Sequence, residues 1–195
     1  QRLNVDGRGE LLGEFRAEDK LLIALQSGTI KAVTPNLASR FEDDMIVLEK
    51  WSPKKPVSAI YFDGEKEIYY VKRFLIENVD KEEIFISEHP KSQLEIIATD
   101  YRPVAEVQFS KRSLENIEVN FEDFIAVKGI KAQGNQLTKE KVKQVNLLES
   151  LPFEEPKAED MEVVEEEILD NNAGENKEST DVSSDKNDEG QITLF

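Results

Sequence analysis

Along most of the chain, apolar residues either alternate with polar ones or gather into short runs rich in β-branched and aromatic side chains. The runs are Leu21–Leu25, Thr29–Val33, Met45–Leu48, Val57–Phe62, Glu67–Phe74, Glu83–Ser87, Gln93–Ala98, Val104–Phe109, Ile117–Phe121, Phe124–Val127 and Val142–Leu147. Most have the length of ordinary strands, roughly 4–8 residues. Turn chemistry separates them. Gln26-Ser27-Gly28 and Asp63-Gly64-Glu65 are tight-hairpin signals, because Gly and Asp accept the positive φ such turns require. Pro53, Pro56, Pro90 and Pro103 fall between runs, where a missing N–H disturbs no ladder. The nearest approach to an amphipathic helix is Lys139–Leu148, whose charges equally suit an edge strand. The pattern predicts an all-β fold.

The hairpins recur. Ile23–Gly28 leads into Thr29–Val33, Ile60–Gly64 into Glu67–Arg73, and Val107–Lys111 toward Ile117–Val119. Leu25 to Phe62 is 37 positions and Phe62 to Phe109 is 47. Hairpins at such intervals suggest stacked or radial β units, each unable to bury its apolar face alone.

Charge divides the chain. Of its 195 residues, 41 are Asp or Glu and 25 Lys or Arg, a net of -16. Glu154–Phe195 holds 15 acidic and 3 basic residues, leaving Gln1–Phe153 at a net of only -4. We therefore expect a β body over residues 1–150, a disordered acidic linker over 151–190, and a short apolar end at 191–195. The linker lacks the apolar surface needed to offset the entropy of ordering it. With no cysteine, a disulfide framework and a thiolate metal site are excluded. No apolar run approaches the ~20 residues of a membrane span, so no membrane partner is expected. No secretory signal opens the sequence, which begins at Gln1, and a cytoplasmic piece of a longer protein is the expectation.

Gly7-Arg8-Gly9-Glu10-Leu11-Leu12-Gly13-Glu14-Phe15 and Glu18–Thr29 resemble a blade of the C-terminal domain of the bacterial type IIA topoisomerase A subunit. Phe124–Thr138 resembles the closing blade of the topoisomerase IV-like members. The resemblance covers roughly Gln1–Leu148. It implies a β-pinwheel, here partial: propeller-like blades of four strands that exchange strands between neighbours. It also implies a basic rim that binds and bends duplex DNA for a catalytic core lying outside this chain. The partners implied are double-stranded DNA and the topoisomerase B subunit, with a cytoplasmic, nucleoid-associated location. ATP and Mg belong to the whole enzyme, and no cofactor is expected in this chain. Gyrase members carry a Gln-Arg-Arg-Gly-Gly-Lys-Gly box, of which Lys128–Gly134 is a degenerate counterpart; this departure favours relaxation and decatenation over supercoiling.

Candidate phosphate contacts are Lys31, Lys54, Lys55, Lys72, Arg73, Lys111, Arg112, Lys128 and Lys131, which cluster at hairpins and their ends. Such contacts supply affinity through counterion release without reading sequence. The alternative is ordinary solvated charge, and a body at net -4 binds DNA only if its cations are segregated. Tyr61, Phe62, Tyr69, Tyr70, Phe74 and Phe85 are expected to pack in the core rather than stack on bases. The lone His89, with no second histidine and no cysteine, is expected on a loop. No nucleophile elbow or phosphate-binding glycine loop occurs, and no catalytic residue is assigned. Gln191, Leu194 and Phe195 resemble the linear motif by which bacterial replication proteins bind the DNA sliding clamp. On that reading Leu194 and Phe195 fill an apolar groove and Gln191 bonds at its edge. A rival function is a β-propeller-like scaffold with no DNA role, recruiting partners through the same end.

Overall fold

A computed structural model describes residue 3, residues 11–38 and residues 40–153; the linker and the terminal motif lie outside them, apart from residues 151–153. Eleven strands and one helical turn follow in order: β1 Leu21–Leu25, β2 Thr29–Val33, β3 Met45–Lys50, β4 Val57–Asp63, β5 Ile68–Phe74, β6 Glu83–Ile84, β7 Gln93–Ala98, β8 Val104–Phe109, β9 Ile117–Asn120, α1 Phe121–Phe124, β10 Asn135–Thr138 and β11 Val142–Leu147. They make three antiparallel sheets ordered β3-β1-β2-β6, β10-β5-β4-β7 and β11-β8-β9. The body is all-β and blade-like, as the alternation predicts.

The order of strands carries the architecture. Each sheet is built on a hairpin: β1–β2, β4–β5 and β8–β9. A later strand of the same repeat lies against the hairpin's first strand: β3 on β1, β7 on β4, β11 on β8. The outer strand on the hairpin's second member comes from the next repeat. β6 follows β5 yet pairs with β2, and β10 follows β9 yet pairs with β5. Neighbouring blades are thus knitted by exchanged strands.

Burial explains why single blades would fail. One core joins the first two sheets through Leu22, Ala24, Ile30, Val57, Tyr61, Tyr70, Phe74, Phe85 and Leu94, with Trp51 against it. A second joins the next two through Ile60, Tyr69, Val71, Val107, Val119, Phe121, Ile125, Val142 and Val145. A third cluster, Leu21, Ile23 and Leu25, lies on the far face of the first sheet. β4 and β5 are therefore covered on both faces, and every residue of β5 except Ile68 is buried. The six aromatic residues above pack as expected: Tyr61 stacks on Tyr70 at 5.7 Å, Phe62 meets Tyr69 at 4.9 Å and Phe74 meets Phe85 at 5.4 Å between ring centroids.

Two local expectations need correction. Phe124–Val127 is not a strand, because Asn120 accepts from the Glu122 N–H and caps a single turn, with Glu122 and Asp123 favourably placed at its start. In the β4–β5 turn the positive φ belongs to Glu67, at 55°, rather than to Gly64. Gly64 is needed for space: a Cβ there would lie 2.5 Å from the backbone of Lys91.

Candidate nucleic-acid interface

Strand registers divide the candidate cations into four settings. Lys72 and Arg73 lie on β5 and are buried, 4% and 7% exposed. The Lys72 ammonium donates to the carbonyls of Phe85 and Ile130. Burial, helped by the nearby charge of Lys131, pushes its pKa down to about 8. The Arg73 guanidinium donates to the Tyr101 carbonyl at 2.6 Å, and burial lowers its pKa. Its Nε has no partner among the described residues. Neither residue sits on an exposed rim, contrary to what the resemblance implied. Sequence is silent on whether both faces of a strand are covered.

Lys31 on β2 is partly exposed but committed. Its ammonium lies 2.8 Å from Glu82 and 3.6 Å from Glu42, and the bond to Glu82 raises its pKa. Lys54, Lys55, Lys128 and Lys131 gather toward the start of β4 and the end of β5. The register pairs Val57 with Phe74, and Lys128 bridges to Phe74. There Lys55 reaches Glu49 at 4.0 Å, and Lys128 donates to Asn135 at 3.0 Å.

Lys111 and Arg112 stand at the opposite end of the strands, in the exposed loop between β8 and β9. β10 runs antiparallel to β5 toward the β4–β5 turn, so the connection to β11 emerges at that same end. Val142 opens β11 opposite Phe109, and the Ser110 N–H donates to the Lys141 carbonyl at 2.9 Å. Lys139, Lys141 and Lys143 are therefore neighbours of Lys111 and Arg112. All five are exposed, and none makes an ion pair with a described residue. Glu115 and Glu140 are the nearby acids in sequence.

Sequence reasoning missed the last three lysines. The signal was Lys141-Val142-Lys143, in which Val142 is buried and its neighbours exposed. Read as an edge strand rather than a helix, it puts both lysines on the solvent side.

Other chemistry is sparse. Among the described residues no group of three or more His, Asp or Glu side chains converges on a cation position, and no helix is long and apolar enough to cross a membrane. The ring Nδ1 of His89 accepts from the Lys91 N–H at 3.3 Å, closing a loop turn. Asp63, 3% exposed, accepts from the Glu65 and Lys66 N–H groups and from Gln133, which is structural work at a turn. Gln191, Leu194 and Phe195 lie outside the described residues.

A family model described as Topoisomerase C-terminal domain, Bacteroidota, matches residues 2–149. No curated protein matches the chain significantly.

Proposed function

Because the chain belongs to this bacterial topoisomerase C-terminal domain family, we propose that it binds and bends duplex DNA and presents it to a topoisomerase core carried outside these residues. The observation that carries the reading is the group Lys111, Arg112, Lys139, Lys141 and Lys143, exposed and without ion-pair partners among the described residues at one end of the third sheet. Cations free of protein carboxylates exchange counterions for phosphates and give binding without base readout. Segregation at one end also reconciles DNA binding with a body of net charge -4.

The whole enzyme would be of the topoisomerase IV type, joining this subunit to a B subunit and using ATP and Mg outside this domain. The degenerate Lys128–Gly134 segment supports that choice over gyrase. The terminal Gln191, Leu194 and Phe195 would add a contact to the sliding clamp in a cytoplasmic, nucleoid-associated complex.

Fluorescence anisotropy of the full chain with a random-sequence duplex tests the reading. Binding is expected at low salt and should weaken steeply as salt rises. The paired change Lys111→Gln, Arg112→Gln should lower affinity by roughly tenfold or more, at about 1 kcal/mol per lost contact. No salt-dependent binding would leave the scaffold reading in its place.

A further inference from the structure

β2 and β5, the second strands of the first two hairpins, each accept a strand from the following repeat. β9 holds the same position in the third hairpin, yet among the described residues it pairs only with β8. Among the described residues no strand pairs with its other side. The Phe121 N–H donates to the Pro103 carbonyl at 3.2 Å, on the β8 side. Backbone groups alternate along an antiparallel strand, so Glu118 directs its N–H and carbonyl, and Asn120 its N–H, away from β8, while the Asn120 carbonyl accepts the first bond of α1.

The side chains repeat the message. Ile117 and Val119 share one face. Val119 is 2% exposed in the second core, whereas Ile117 is 37% exposed. At the two occupied positions an incoming side chain fills the corresponding space. Phe85, just past β6, is 1% exposed, and Leu137 of β10 packs on the second core. Exposed Glu115 and Glu118 line the open flank, while Glu122 beyond it is held by Arg102.

From this geometry we infer that β9 is a strand-accepting site for an extended basic polypeptide segment in trans. The segment adds a fourth strand to the third sheet, bonds the N–H and carbonyl of Glu118 and the N–H of Asn120, covers Ile117 with an apolar residue and turns a Lys or Arg toward Glu118. Main-chain bonds supply affinity, and the apolar and cationic positions supply selectivity. The inference rests on strand order and does not depend on DNA binding.

The test is an NMR titration of the full chain with a peptide of the donor sequence Lys131–Lys139 (KAQGNQLTK) and with the same peptide carrying Gln136→Pro. The first peptide should shift the Glu118 and Asn120 amide signals and slow their hydrogen exchange by about tenfold or more. The proline peptide should be silent, and Glu118→Lys in the protein should weaken binding several-fold. Absence of shifts at millimolar peptide, or equal shifts with both peptides, overturns the inference. So does protection of both amides before peptide is added. If that protection grows with protein concentration, a second copy occupies the edge instead.

Discussion

Lys72 holds an ammonium at 4% exposure against two carbonyls, with no carboxylate of the described residues paired to it. Removing such a charge from water is costly, and the folded chain responds by releasing the proton more readily, at about pH 8 against an ordinary 10.5. Between those values the unfolded chain binds more protons than the folded one. Stability contributed by this residue therefore rises with pH through that window, by at most about 1.4 kcal/mol per pH unit, and is flat below it. Tyr61 acts in the opposite sense, since burial raises its phenol pKa, but its contribution is lost only above about pH 10. Urea midpoints at pH 7.5 and 9.5 should accordingly show the native chain gaining on Lys72→Met. The variant should be less stable at both pH values, because the Phe85 and Ile130 carbonyls lose their donor at about 1–3 kcal/mol each. Parallel pH profiles for the two proteins would contradict the assignment.

Strand exchange depends on anchors more than on ladders. β6 contributes only Glu83 and Ile84 to the first sheet, too few residues to hold by pairing alone. Phe85 follows at 1% exposure, packs on Phe74 and donates its N–H to the Gly28 carbonyl at 2.9 Å. Phe85→Ala should lower unfolding free energy by about 3–5 kcal/mol, and hydrogen exchange should accelerate first at Thr29 and Ile30, the residues β6 covers. Uniform acceleration across the body would instead mean that the first sheet does not open separately. The same contrast explains what the sequence displays. β1, β2, β7, β8 and β11 are legible to the residue, because alternation and turn residues agree there. β10 is Asn-Gln-Leu-Thr, with one apolar residue, and nothing local marks it as a strand. Its entry depends on Gly134, at φ 97°, where a Cβ would lie 2.2 Å from the Val71 carbonyl oxygen. Such a close approach is a property of the folded neighbour. α1 is a single capped turn, shorter than any periodicity can reveal. The burial of Lys72 and Arg73 is not legible because a sequence does not say that the first core covers one face of β5 and the second core the other.

At the scale of the whole body, two groups of candidate cations lie at opposite ends of the strands, and they differ in what surrounds them. Lys111, Arg112, Lys139, Lys141 and Lys143 converge where the β8–β9 loop meets the start of β11. Lys54, Lys128 and Lys131 are spread over two connections, Lys128 is engaged by Asn135, and the adjacent Lys55 faces Glu49. Phosphate binding favours the first group, because a polyanion neutralises closely spaced free cations together and gains little from isolated ones beside carboxylates. Replacing Lys139, Lys141 and Lys143 with Gln should flatten the plot of log K against log salt by about 0.9 per lost contact, roughly 2.7 in all. Replacing Lys54, Lys128 and Lys131 should change the slope by less than about 1, and Lys31→Ala should leave it unchanged while costing at most about 1 kcal/mol of stability. None of these side chains belongs to a core, so circular dichroism should confirm folding in every variant, and any loss of binding reports charge alone. Equal slopes for the two triple variants would mean that the duplex runs from one end of the strands to the other. The contact surface would then have to include the flank of the third sheet between them.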